Sequence, residues 1–216
     1  MESKSTKTLK GLYAISDFIL TPKDSLPTQL EKALKAGVKV FQLRDKESKD
    51  CDLEKLIKDL SKLCVQYDAF FILNDRVKLA LKLGEKIVHG LHVGKEDYEE
   101  SNFKALRKDY KGIIGVSCYA NLSLAKRMES LGADYVAFGA MFNSPTKPLA
   151  KSCPLEVPLE AKMKLKIPVC VIGGINQANV ALFKDMDLIA CISAIWQGDI
   201  KDNVSKLNIY KKGDLL

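Results

Sequence analysis

The chain has 216 residues, 47% of them hydrophobic and 28% charged, with a formal net charge of +7. That length allows one large α/β domain or two small ones with a sizeable core, and the balance excludes a disordered or fibrous chain. No apolar run approaches the ~18 residues of a membrane helix, and the opening "MESKSTKTLKG" has no apolar signal core, so neither a membrane span nor secretion is expected.

The lysines are scattered along helix-like segments such as "EKALKAGVK" and "LEKLIKDLSKL". No basic run carries interleaved aromatics, so a solvated basic surface and small anionic substrates fit better than nucleic acid. Cys51, Cys64, Cys118, Cys153, Cys170 and Cys191 form no CxxC pair. They read as reduced core thiols, which places the protein in the cytoplasm.

In chain order, short apolar, β-branched runs read "GLYAISD" (11–17), "VKVFQLRDK" (38–46), "AFFILND" (69–75) and "IVHGLHVG" (87–94). "GIIGVSC" (112–118), "ADYVAFGA" (133–140), "PVCVIGGI" (168–175) and "LIACISAIW" (188–196) follow, eight in all. Segments of helical period lie between most of them, among them "LPTQLEKALKAG", "DLEKLIKDLSKLC", "LSLAKRMESLG" and "NVALFKDM". Several stop at a glycine just before the next strand, as at Gly37 and Gly132. Repeated β-then-α order implies parallel strands with right-handed crossovers. The expected fold class is therefore α/β, a (β/α)8 TIM barrel spanning 11–216 as a single domain behind a polar tail at 1–10. A doubly wound open sheet is the alternative, but no GxGxxG turn follows the first strand.

Barrels of this kind place active groups at the C-terminal ends of strands. Polar residues gather there: Asp17; Gln42, Arg44 and Lys46; Asn74 and Asp75; His92, Lys95 and Asp97; Ser117; then Ser144, Thr146 and Lys147. Alternation puts Gln42, Arg44 and Lys46 on one side with Val38 and Val40, the valines filling the interior and the polar trio reaching the mouth. Buried charges need partners, so an anionic ligand or facing carboxylates are expected there. Asp75 and Asp97 end neighbouring strands, and their oxygens suit Mg²⁺ completed by waters and phosphate. Pairing of Asp75 with Arg76 or Arg44, or a helix cap, is the structural alternative.

Gly173 and Gly174 allow backbone N–H groups to approach a phosphate, with the Ser193 hydroxyl nearby. "NSPTKP" (143–148) offers two hydroxyls and a lysine to a second anionic group, or else a proline-rich turn. His89 and His92, three apart on one strand, face opposite sides and read as structural, His92 being the one that can reach the mouth. No Ser–His–Asp or Cys–His arrangement is assignable.

Taken together, "FQLRDK", "FILNDRVKLAL", "GLHVGKED", "IIGVSC", "ADYVAFGAMFNSPTK", "VCVIGGI" and "ISAI" occur in the order found in thiamine-phosphate synthases, and from about Gly11 to Trp196 the chain resembles that family. The resemblance implies a barrel that joins hydroxymethylpyrimidine pyrophosphate to thiazole phosphate, giving thiamine phosphate and pyrophosphate with Mg²⁺ as cofactor. It implies small phosphorylated substrates and no nucleic-acid or membrane partner, and it is compatible with a homo-oligomer.

Carried over by motif, Gln42, Arg44, Lys46 and Asn74 hold the pyrimidine and its diphosphate, and Asp75 and Asp97 hold the metal. Ser117 lies near the diphosphate and reacting centre. Ser144, Thr146 and Lys147 form a hydroxyl-and-lysine loop, and Gly174, Ile192 and Ser193 receive the thiazole phosphate. Arg44, Lys46, Ser117 and Lys147 are the catalytic set, acting on a dissociative step that needs leaving-group stabilisation more than a strong base.

Asn143 stands where the family usually has proline, Ser144 where it has threonine, Tyr119 where many members have histidine, and Lys95 where glutamine is usual. A related thiazole tautomerase typically loses the counterparts of Lys46 and Asp75, both present here, and uses the histidine that Tyr119 replaces. That enzyme and a non-catalytic barrel that binds a thiamine precursor are the competing expectations.

Overall fold

A computed structural model describes residues 9–94, 99, 102–142 and 152–208. Eight parallel strands close into a barrel in sequence order, β8 pairing back onto β1. They are β1 (Gly11–Ile15), β2 (Val40–Leu43), β3 (Phe70–Asn74), β4 (Gly90–Val93), β5 (Ile113–Tyr119), β6 (Tyr135–Phe138), β7 (Val169–Ile172) and β8 (Leu188–Cys191). Each expected strand overlaps an observed one; seven contain it, and β5 runs one residue past its expected end to Tyr119.

The surrounding helices are α1 (Leu26–Ala36), α2 (Asp50–Gln66), α3 (Val77–Leu83), α4 (Phe103–Asp109), α5 (Leu122–Ser130), α6 (Glu156–Lys164), α7 (Ser193–Trp196) and α8 (Ile200–Leu207). Among the described residues no helix is long and apolar enough to cross a membrane.

Apolar spacing explains how the helices dock. α1 buries Leu26, Leu30, Ala33 and Leu34, and α2 buries Leu53, Ile57, Leu60 and Cys64, each set forming one stripe. α1 begins with Pro27 in its first turn and stops at Gly37, whose left-handed backbone (φ 118°) lets its N–H reach the carbonyls of Ala33 and Leu34.

The strand faces divide the core in two. Leu12, Phe41, Leu43, Phe71, Leu73, Val136 and Phe138 pack outward under the helices. Tyr13, Ile15, Val40, Ile72, Tyr135, Ala137, Cys170, Leu188 and Ala190 fill the interior. Large and small residues interlock there: a Cβ at Gly115 would come within 1.9 Å of the Tyr135 ring, so that glycine on β5 makes room for the tyrosine on β6.

Three expectations need correction. β2 begins at Val40 and ends at Leu43, so Arg44 and Lys46 lie in the following loop and do not continue the strand's alternation. Val38 packs in the outer layer, because its N–H still bonds to Ala33 in the α1 cap and strand alternation has not yet begun. "NVALFKDM" forms only a short 3₁₀ turn at Val180–Phe183, whose buried Val180 and Phe183 sit three apart, the spacing that 3₁₀ geometry aligns.

Candidate active site

Gln42 comes one residue before the end of β2 and points inward, almost fully buried. Its Nε2 donates to the Tyr13 hydroxyl on β1 at 2.5 Å. Tyr13 is 2.9 Å from the Tyr135 hydroxyl on β6, which lies 2.8 Å from His92 Nδ1 on β4. His92 Nε2 is 2.8 Å from Ser117 Oγ on β5. Five side chains from five strands thus form one hydrogen-bonded line across the barrel. Burial holds the His92 pKa down to about 4, so its imidazole is neutral near pH 7, and burial pushes both tyrosines above their ordinary value.

The loop after β2 is fixed from three directions. Ser16 Oγ accepts from the Arg44 N–H at 2.8 Å and donates to the Arg44 carbonyl at 3.3 Å. Asp45 Oδ1 accepts from the Glu47 and Ser48 N–H groups at 3.0 and 2.8 Å, and Asp45 Oδ2 from the Ser48 hydroxyl at 2.7 Å. Partial burial pushes the Asp45 pKa up, but these hydrogen bonds from Ser48 and Glu47, with Lys23 nearby, outweigh it and leave the group below its ordinary value. Arg76 reaches over from the β3–α3 turn. Its Nη2 donates to the carbonyls of Asp45 and Ser48, both at 2.7 Å, and its Nη1 pairs with Asp50.

Asn74 closes β3, and Asp75 follows with left-handed backbone (φ 63°). Asp and Asn tolerate this conformation better than most residues, and it tends to occur where function requires it. The Asp75 N–H donates to the His92 carbonyl at 2.9 Å, and Asn74 Nδ2 donates to Asp75 Oδ2. Lys46 Nζ stands 3.8 Å from the same carboxylate oxygen, which brings the β2 loop and the β3 end together. Arg76, one of the alternative partners considered for Asp75, is engaged with the β2 loop through Asp45, Ser48 and Asp50.

A hard carboxylate beside an amide fits Mg²⁺, which usually takes one or two protein carboxylates and completes its shell with water and phosphate. Among the described residues no cluster of three or more His, Cys, Asp or Glu forms a protein-only metal cage. Asp97 and Lys95 lie outside the described residues, as do Asn143, Ser144, Thr146 and Lys147.

On the far side of the barrel, Gly173 (φ 107°) and Gly174 (φ 64°) end β7 with left-handed backbone. A Cβ on Gly173 would come within 2.7 Å of Ala140, so that position has no room for a side chain. Ile192 precedes the single turn of α7, which Ser193 opens. Asp17, at the end of β1, folds its own turn by accepting from the Ile19 and Leu20 N–H groups, each at 3.0 Å.

Sequence reasoning missed Tyr13, Tyr135 and Arg76 and left His92 as structural. The available signal was polar residues at inward positions of β1, β4 and β6, legible only once the strands are in register.

A closed β/α barrel with an amide, a lysine, a carboxylate and a hydroxyl at the C-terminal ends of β2 to β5 belongs to the class of barrel enzymes with a polar catalytic mouth. The comparisons narrow that class. The family model described as thiamine monophosphate synthase matches residues 12–195. A curated thiamine-phosphate synthase of Wolinella succinogenes is 43% identical over 194 residues, covering 89% of this chain and 88% of the relative. One from Thioalkalivibrio sulfidiphilus is 38% identical, covering 90% and 91%. The solved thiamine phosphate pyrophosphorylase of Pyrococcus furiosus superposes with a TM-score of 0.80 at 31% identity, covering 93% and 95%. A 3-hexulose-6-phosphate synthase at 16% identity and a TM-score of 0.66 shares the fold alone. The chain belongs to the thiamine monophosphate synthase family.

Proposed function

We propose that this chain joins hydroxymethylpyrimidine pyrophosphate to thiazole phosphate, forming thiamine phosphate and releasing pyrophosphate. It is a transferase of thiamine biosynthesis acting on small phosphorylated substrates. The observation that carries this reading is the convergence of Gln42, Lys46, Asn74, Asp75 and Ser117 at the C-terminal ends of β2, β3 and β5.

The carbon–oxygen bond to the diphosphate breaks, the thiazole nitrogen attacks the resulting pyrimidine-stabilised cation, and a carbon–nitrogen bond forms. Gln42 and Asn74 orient the pyrimidine. Arg44, Lys46 and Lys147 neutralise the charge that builds on the departing diphosphate, and Ser117 donates to it. Asp75, with Asp97, would hold Mg²⁺, which when bound supplies further positive charge to the leaving oxygens. Ser144 and Thr146 contact the anionic groups, and Gly174, Ile192 and Ser193 receive the thiazole phosphate. The six cysteines are free, five of them buried, which supports a cytoplasmic setting.

The test is pyrophosphate release from purified protein. The reading requires release only when both substrates and Mg²⁺ are present. Tautomerisation of the thiazole alone would point to the metal-free relative. Tight precursor binding with neither activity would point to a non-catalytic module.

A further inference from the structure

The line from Gln42 to Ser117 has a direction. Each hydroxyl in it carries one proton, and a neutral imidazole carries one donor and one acceptor, so only bonds that all run one way give every buried tyrosine proton an acceptor in the line.

Two arrangements do so. In the first, Gln42 Nε2 donates to Tyr13, Tyr13 to Tyr135, and Tyr135 to His92 Nδ1. His92 then holds its proton on Nε2 and donates to Ser117, whose own O–H is left to point into the mouth. In the second, the Gln42 amide is turned over and accepts from Tyr13 through Oε1. All the bonds reverse, His92 carries its proton on Nδ1, and Ser117 spends its proton inward. Any mixture makes one buried tyrosine hydroxyl accept from both neighbours and leaves its own proton without an acceptor in the line, at the cost of a buried hydrogen bond.

The amide orientation selects the first arrangement, and the surroundings of the line keep it uniform. Gln42 presents Nε2, the donor end of its amide, to Tyr13 at 2.5 Å, which turns Oε1 away from that hydroxyl. Tyr13 and Tyr135 are sealed from solvent, so neither can take a proton direction from water. Each His92 ring nitrogen meets one hydroxyl at 2.8 Å, so a single ring proton serves both links.

We propose that the wire runs in this one direction and couples its two ends: Gln42 offers a carbonyl acceptor to the substrate only while Ser117 offers a hydroxyl donor. The consequence rests on the function proposed above. An aminopyrimidine brings a donor to Gln42, and its diphosphate brings acceptors to Ser117, so one substrate matches both ends at once. An oxo-pyrimidine would call for the Gln42 amide turned over, which turns the Ser117 proton away from the leaving group. Tyr13, Tyr135 and His92 are thus positioning residues that make amino-group recognition and leaving-group stabilisation a single event.

Nitrogen-15 labelling of histidine tests the direction without any ligand or turnover. The chain has two histidines. His89, whose Nδ1 accepts from the Phe71 N–H at 2.9 Å outside the wire, serves as internal reference. Two-bond proton–nitrogen spectra at neutral pH should show His92 protonated on Nε2 alone. An Nδ1–H tautomer, or an even mixture, would overturn the proposal.

Tyr135→Phe should abolish the single tautomer of His92 and leave His89 unchanged; an unaltered His92 spectrum in that variant would also overturn it. Tyr13→Phe should keep the tautomer, since Tyr135 still donates to Nδ1, but should free the Gln42 amide to turn. The kcat/KM preference for amino- over oxo-pyrimidine diphosphate should then fall about ten-fold or more from the wild-type value. A preference unchanged in Tyr13→Phe would remove the coupling between the ends. A wild-type protein that released no pyrophosphate would remove the synthase reading, and the spectra would still decide the direction of the wire.

Discussion

The two faces of the barrel wall are built on opposite terms. Outside, under the helices, Phe41, Phe71, Leu73, Val136 and Phe138 belong to a continuous apolar layer. Inside, an amide, two phenols, an imidazole and a hydroxyl are buried or part-buried in a line. The outer layer gains stability from area removed from water, whereas the inner line is tolerable because each group finds a partner. The contrast teaches that the outer face specifies the fold and the inner face specifies which groups arrive at the mouth.

Substitutions should separate the two. The largest stability loss is expected from the outer layer: Phe71→Ala removes a fully buried ring and should cost about 3–5 kcal/mol in denaturant unfolding. Activity per folded molecule should be unchanged, and a selective loss of kcat would blur the division.

Next comes the pH response of the inner line. His92 has a folded pKa of about 4, against about 6.5 in the unfolded chain. Between those values the unfolded chain binds a proton that the folded barrel refuses. Stability is therefore full above pH 6.5 and falls as pH drops toward 4, by on the order of 3 kcal/mol in total. Unfolding measured from pH 6.5 to 5, above the ordinary carboxylate range, should show that slope in the wild type and lose it in His92→Gln.

Asp75→Asn should lower kcat about a hundred-fold, roughly 2.7 kcal/mol, and weaken Mg²⁺ dependence. It should leave the fold intact, since Asn tolerates the left-handed backbone of that position. Unchanged turnover would remove Asp75 from the metal site.

The smallest effect is expected from Arg76→Ala, which unfastens the Arg44–Lys46 loop from the β3 turn. KM for the pyrimidine diphosphate should rise about ten-fold while kcat stays within about two-fold, with partial rescue by added guanidinium. An equal fall in kcat and no rescue would mean that Arg76 does more than hold that loop.

The eight strands were legible because each is a β-branched run set off by helical spacing, and Gly37 marked a helix end through the backbone freedom it needs there. The placement of Gln42, Asn74, Asp75 and Ser117 at or beside strand ends was legible because the strand runs could be bounded in the sequence, and strand ends in such barrels face the mouth. Val38 was misplaced because period-two counting ran back through the α1 cap, where the chain is not yet a strand. The wire was out of reach for a different reason. Its members lie up to 122 residues apart and meet only across a closed barrel, so no local pattern announces that Tyr13 touches Tyr135. Adjacency in sequence offered Arg76 as one alternative partner for Asp75, whereas its guanidinium bonds across to the preceding loop.

The account's central claim is that a diphosphate departs from the mouth between the ends of β2, β3 and β4. A crystal structure with Mg²⁺ and pyrophosphate tests it most directly. The account predicts pyrophosphate in hydrogen-bond contact with Lys46 and Mg²⁺ on the Asp75 carboxylate. Pyrophosphate bound elsewhere, with Lys46 and Asp75 still paired only with each other and their protein neighbours, would contradict it.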